Sequence, residues 1–409
     1  MVSWVVDESG LAMNQRRKFL HRLRNLLTVG FAAGTGSALA DTTKSQGAPL
    51  REYGSRSRFE TIKRWITPAR WPTSTASWTP LGELEGIITP SALHYERHHG
   101  GVPDIDPASH RLLVHGLVER ELLFSMADLK RFPSMHRICF LECSGNGYPE
   151  WQKAVGANVQ QTHGLTSCSD WAGVTLKDVL NEAGVLSEAS WVVAEGADGA
   201  AMTRSVPLEK CLQDVILAYG QNGEALRPEQ GYPLRLLVPG FEGSISVKWL
   251  RRLKVTDTPY YTREETSKYT DLMPDGRARE FSFVMEAKSV ITAPSAGQVL
   301  YQPGFHEISG IAWSGRGRVK RVEVSVDNGE SWREARLHGP VLPICHTRFT
   351  LPWEWDGSEV TIASRCHDET GYVQPTRTAL QAVRGKHSFY HFNAIQNWRI
   401  DSQGRVHNV

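Results

Sequence analysis

The chain has 409 residues, 40% of them hydrophobic and 22% charged, with 13 tryptophans. It is long enough for more than one buried core and too apolar for a disordered chain. The formal charge is +2, and five cations (Arg16, Arg17, Lys18, Arg22, Arg24) fall in residues 1–40, leaving 41 basic against 42 acidic residues afterwards; nothing in that balance points to nucleic acid or an anionic membrane as a partner.

Residues 1–40 read as an address. "NQRRKFLHRLRNLLTVGFAAGTGSALA" carries an arginine pair, Phe19 and Leu20 behind it, an apolar stretch from Leu26 and a small-residue end at Ala38-Leu39-Ala40. This resembles a twin-arginine export signal cleaved before Asp41, and so predicts a periplasmic protein that folds before export. An amphipathic surface helix is the weaker alternative, and without the signal no segment is long enough to cross a bilayer.

Residues 41–80 alternate polar, glycine and proline residues without periodicity and predict an extended arm. Over 81–278 strand-like runs ("RLLVHGLV", "HRICFLEC", "SWVVAEGA", "YPLRLLVPG", "SVKWLRRLKV") alternate with helix-like ones ("SMADLKRF", "TLKDVLNEAG", "PLEKCLQDVILAYG"), a mixed α/β domain. Over 279–409 the texture is strands and turns, with a hairpin signal at Asn328-Gly329, which predicts an immunoglobulin-like β-sandwich. The fold class is therefore α+β. Within the sandwich, "HTRFTLPWEWDGSEVTIASRC" predicts a hairpin turning at Asp356-Gly357; a symmetric register would set Cys345 opposite Cys366, either as a disulfide or as two buried thiols. His346 and His367 lack the spacing of a structural zinc site.

"FLECSGNG" brings Cys143 to the end of an apolar strand and opens into Ser144-Gly145-Asn146-Gly147, small residues that let backbone approach a ligand. Four readings stay open. A nucleophilic cysteine would need a base such as His136, His163 or a histidine of "HYERHHGG". A redox pair would need a resolving partner, and Cys139 has the wrong spacing. A metal thiolate would need its other donors from elsewhere, and an inert buried cysteine needs nothing. "SGNG" and "SGRGR" lack the strand-glycine-helix context of a nicotinamide site.

"LECSGNG", then "GLTSCSDWAGVTLKDVLNEAG", "VVAEGADG" and "QGYPLRLLVPGFEGSISVKWLRRLKV", in that order, resemble the sulfite oxidase family of molybdenum enzymes over roughly residues 80–400. Within it, "AYGQNGEALRPEQGYPLRLLVPGFEGSISVKWLRR" and "YHFNAIQNW" are most similar to the SoxC-type molybdenum subunit of sulfane (sulfite) dehydrogenases. The resemblance implies molybdenum carried by one molybdopterin, with Cys143 as the thiolate ligand. It puts Arg97, His98 and His99 along the cofactor, Arg97 also near the oxyanion substrate and His98 where the family has asparagine. Arg235 and Lys248 would hold the cofactor, as a phosphate dianion and a pterin edge require. Asp198 would accept from the pterin, Gln230 stands where vertebrate oxidases have histidine, Ser244 and Ser246 would add hydroxyl or backbone contacts, and Tyr269 matches an active-site tyrosine.

Vertebrate sulfite oxidases follow the ligand cysteine with "AGNRR", whereas Gly147 and Tyr148 stand here. The anion pocket is thus less cationic, which suits sulfur carried on a protein arm. With no CxxCH and no cytochrome domain in the sequence, no haem is expected in this chain, and the electrons are expected to pass to a c-type cytochrome partner. A sulfur-carrier protein is the expected substrate, with free sulfite as the alternative, and the second domain is expected to make a homodimer. Two other classes stay open: a methionine-sulfoxide-type molybdenum reductase, which lacks a terminal immunoglobulin-like domain, and a non-catalytic binding protein built on the sandwich.

Overall fold

Strand Ser134–Glu142 organises the first half of the molecule. Its sequence, SMHRICFLE, begins exposed and ends in four buried residues, because it runs from the surface into the interior along Thr166–Thr175, its antiparallel partner from Ser134↔Val174 to Glu142↔Thr166. The computed structural model describes residues 47–67, 74–152 and 154–409. The export signal expected over 1–40 lies outside them. Residues 47–60 are exposed chain without helix or strand, and Thr61–Val409 form a separate compact unit.

Three sheets and a two-stranded ribbon, Asp271–Leu272 with Ala278–Arg279, make the region up to residue 279. Thr166–Thr175 joins Ser134–Glu142 to Ile216–Gln221, which also pairs Arg235–Leu237. A second sheet sets Leu250–Thr256 between Arg111–Gly116, its parallel partner, and Trp191–Gly196. The third is small: Ala76–Trp78 lies between Trp65–Ile66 and Glu96–Arg97. The end of the predicted arm is thus a strand, and Trp78 and Leu81 are buried in the main unit.

Helices are short and locally specified. Leu176–Ala183 starts where the Thr175 side chain accepts from the Asp178 N–H and stops at Gly184, φ 72°, the left-handed cap that only glycine adopts without strain. The helix predicted over 207–220 ends at Gln213. The apolar run after it, Ile216–Gln221, is a central strand buried on both faces, where burial overrides helical spacing.

Beyond residue 279 lie two antiparallel sheets, one of four strands and one of five. The Asn328-Gly329 hairpin forms, with φ of 63° and 88° and register Val324↔Arg333, as a two-residue turn of this type requires. The hairpin expected around Asp356-Gly357 does not. Thr347–Trp355 pairs Gly304–Trp313 in one sheet, and Val360–Asp368 pairs Val319–Ser325 in the other; the chain crosses between sheets because each strand's buried face is satisfied on its own side. Cys345 and Cys366 are accordingly free thiols, and Cys345 donates to the Ile138 carbonyl at 2.8 Å. A helix, Arg377–Arg384, interrupts the expected strands-only region.

One apolar cluster spans the two regions, joining Phe140, Leu141 and Trp171 to Ile311, Trp313 and Trp398. A second fills the space between helix Leu176–Ala183 and the sheet of Leu250–Thr256. Among the described residues no helix is long and apolar enough to cross a membrane.

Candidate active site

Cys143 stands where strand Ser134–Glu142 ends, its N–H on the Leu165 carbonyl at 3.0 Å and its carbonyl accepting from Asn146 at 2.8 Å. Burial pushes the thiol upward, opposed by the Gly145 N–H and by Arg97, so a bound cation would be needed to hold it as thiolate. The two loop glycines differ in purpose. A Cβ on Gly145 would lie 3.7 Å from Cys143 Sγ. Gly147 has φ 87°, and a Cβ there would lie 2.9 Å from the Phe392 ring; a side chain of this protein, and not a ligand, requires that glycine.

Strand pairing Ala76↔Arg97 fixes the next group. Arg97 donates to the Thr75 carbonyl at 3.4 Å and to that of His98. His98 is buried between Lys248, whose Nζ lies 2.8 Å from Nδ1, and Glu96, whose carboxylate lies 2.7 Å from Nε2. Burial, then Lys248 and Arg97, depress its pKa to about 3, so the ring is neutral, accepting from Lys248 Nζ and donating to the carboxylate. His99, depressed to about 3 chiefly by burial, meets the Tyr269 hydroxyl at 2.9 Å. Tyr269 sits at φ 54°, with the Arg204 guanidinium 5.0 Å from its ring centre and Tyr390 packed at 5.2 Å.

Arg235 lies on strand Arg235–Leu237 and is 3% exposed. It donates to the Gln230 carbonyl at 3.0 Å and the Ser246 carbonyl at 3.1 Å, and burial lowers it to about 10. Lys248, driven well down by burial and by Arg235, donates to the carbonyls of Arg97 and Glu229. Gln230 donates to the Tyr95 carbonyl at 3.0 Å. Ser246 Oγ accepts from Val238 at 3.0 Å, Ser244 Oγ accepts from Arg204, and Asp198 accepts from the Met202 N–H at 3.2 Å.

Arg97, His98, His99, Cys143, Asp198, Gln230, Arg235, Ser244, Ser246, Lys248 and Tyr269 all line one cavity. Sequence reasoning missed other walls, among them His94, Tyr95, Met202 and Trp249; aromatic and neutral groups carry no spacing signal. His94 was visible only as part of "HYERHHGG". Outside the cavity, His136 faces Asp170 on the surface, and His163 is buried against Thr162.

The cavity is built for an anion. Among the described residues no ion pair joins Arg235 or Lys248 to a carboxylate, although Asp198 and Glu229 favour the charge on Lys248 from farther off; both cations donate to carbonyls. Arg235 Nε and Ser144 Oγ are buried without partners. Carbonyls solvate a buried cation without neutralising it, so the site gains most from a bound negative charge. Among the described residues no cluster of three or more His, Cys, Asp or Glu could hold a metal, so a metal on Cys143 must take other donors from a cofactor. No histidine is recorded within hydrogen-bond reach of Cys143 among the described residues, which leaves a cysteine–histidine nucleophile unsupported.

Comparison with known proteins gives the same chemistry. Residues 99–263 match the oxidoreductase molybdopterin binding domain, and residues 279–398 the Mo-co oxidoreductase dimerisation domain. Sulfite oxidase of Gallus gallus is 35% identical over 73% of this chain and 71% of its own. The mitochondrial sulfite oxidase of Mus musculus is 34% identical over 72% of this chain and 58% of its own. The crystal structure of the sulfane dehydrogenase SoxCD from Paracoccus pantotrophus is similar with a TM-score of 0.89 and 46% identity, covering 93% of this chain and 99% of that one. A molybdopterin, with a phosphate and a pterin edge, meets the charge and donor set above: unpaired buried cations, an orphan guanidine N–H and one thiol. The chain belongs to the sulfite oxidase family and is a molybdopterin-dependent oxidoreductase of sulfur compounds.

Proposed function

We propose that this protein oxidises sulfane sulfur presented on a carrier protein, in the periplasm, and passes the electrons to a c-type cytochrome. Cys143 is the metal thiolate; Arg235 and Lys248, with His98 bracing the lysine, hold the phosphate and pterin; and Asp198, Gln230, Ser244 and Ser246 complete the cradle. The bound cofactor supplies oxygen transfer and a two-electron sink. Arg97 orients the anionic sulfur, and Tyr269, held by His99, presents its hydroxyl to the same space. The residues after 279 form an immunoglobulin-like sandwich that pairs two copies, and residues 1–40 are the export signal. A single-domain sulfoxide reductase would have no counterpart to the matched dimerisation domain.

The observation that carries the substrate reading is an exposed aromatic pair beside the Cys143 loop, where a Cβ on Gly145 would lie 3.6 Å from the Phe389 ring. Tyr148 stands in the place of a vertebrate arginine; it is 38% exposed and stacked on Phe389 at 5.0 Å, itself 48% exposed. An exposed aromatic pair at that place suits a protein-borne group better than a free dianion. The test is cytochrome c reduction by molybdenum-loaded protein. Silence with free sulfite, and reduction restored by carrier-bound sulfane with the cytochrome partner, is expected; rapid reduction by free sulfite alone would make it a sulfite dehydrogenase.

A further inference from the structure

Alternation along a strand sends neighbouring side chains to opposite faces. Cys143 faces the cavity; Glu142, the residue before it, is wholly buried on the other side, in a socket the cavity chemistry does not use. Lys288 Nζ lies 2.6 Å from Glu142 Oε1, and Trp313 Nε1 donates to Oε2 at 2.6 Å. These two grips are cross-strand partners, Lys288↔Trp313, in the sheet that follows residue 279. Asn146 completes the ring, donating to Glu142 Oε1 at 2.9 Å. Its carbonyl accepts from Lys288 at 3.4 Å, and its side-chain oxygen accepts from the Leu165 N–H at 3.0 Å. The loop that carries Cys143 is thus tied at both ends to one buried ammonium.

Apolar packing alone would hold the two regions together, since Phe140 and Trp313 share a core. A lysine that is 1% exposed, on a carboxylate with no exposure, loses hydration on both sides, so its value lies in direction and not in net attraction. We infer that Glu142 and Lys288, with Trp313 and Asn146, are positioning residues for Cys143: the second region determines where the sulfur stands relative to Arg97 and Tyr269. The inference rests on Cys143 being the molybdenum thiolate.

The test uses full-length, molybdenum-loaded protein, with the spectrum taken after chemical reduction by dithionite so that it does not depend on the sulfur substrate. Molybdenum content, the Mo(V) electron paramagnetic resonance spectrum, kcat and KM are compared for the parent, Cys143→Ser, Lys288→Met, Lys288→Arg and Glu142→Gln. Lys288→Met and Glu142→Gln are expected to shift or broaden the spectrum at undiminished molybdenum content and to lower kcat by about tenfold, with KM nearly unchanged; Lys288→Arg is expected to recover part of both. If Lys288→Met fails to fold, Trp313→Phe removes one grip without unpairing the charges, and a smaller shift in the same direction is expected. A parental spectrum and kcat per molybdenum in these variants, with only the thermal midpoint lowered, overturns the inference while Cys143→Ser still alters the spectrum. A parental spectrum in Cys143→Ser overturns the ligand reading and the inference with it.

Discussion

Lys248 donates to His98 Nδ1 at 2.8 Å, so the histidine braces a lysine that lines the cavity. Its far nitrogen, on Glu96 at 2.7 Å, fixes the tautomer that leaves Nδ1 free to accept. The family's asparagine can accept in the same way, and the substitution is therefore conservative in role. His98→Asn should retain near-parental molybdenum content. His98→Ala leaves an ammonium and a carboxylate short of a partner, about 1–3 kcal/mol, and should lower both molybdenum content and thermal midpoint. Equal molybdenum content in the two variants would count against the bracing role.

Arg235 separates cofactor binding from folding. Buried and without a carboxylate partner, it costs the metal-free protein desolvation. Arg235→Met should leave the thermal midpoint of cofactor-free protein unchanged or raised, yet reduce cofactor retention by about tenfold or more, the worth of a charge-assisted hydrogen bond. A fall in the cofactor-free midpoint would show instead that the arginine is structural, through its stack on Trp171 at 5.0 Å.

The site was legible where chemistry has a spacing and illegible where it has only a place. Cys143 and its glycine loop, Arg235, Lys248 and the "HYERHHGG" cluster stand in runs that can be read along the chain. Glu142 and Lys288 are 146 positions apart and meet only through two sheets, so neither carried a local signal. The strands Thr347–Trp355 and Val360–Asp368 misled for a related reason: alternation reports which residues are buried, and it is the same whether the strand pairs its neighbour in sequence or crosses to another sheet. The helix over 377–384 was hidden by its length, one short amphipathic segment among turns.

Buried neutral histidines give the protein an acid limit. His163 and His346, both held to about 3 mainly by burial, are protonated near pH 6.5 once the chain unfolds. Between those values the unfolded state binds more protons, so stability is full above pH 6.5 and falls as pH drops toward 3. The slope is up to about 1.4 kcal/mol per pH unit for each histidine. Urea midpoints measured from pH 7.5 to 4.5 should fall accordingly, and His163→Gln should flatten the curve. A pH-independent midpoint over that range would refute the assignment.

Tyr148 tests what the cavity mouth selects. It is absent from the cavity wall and packs instead on Phe389 at 5.0 Å; under the proposed function Arg97 is the guanidinium that meets the anion. Tyr148→Arg places a second cation beside the Cys143 loop and removes half of the aromatic pair. One added charge-assisted hydrogen bond to a dianion is worth about 1.5–3 kcal/mol, so KM for free sulfite should fall by about tenfold. Turnover with carrier-bound sulfur should worsen at the same time, because the stacked aromatic pair proposed to receive it is broken. An unchanged KM for free sulfite would mean that the position does not face the anion, and that charge at the mouth does not distinguish the two substrates.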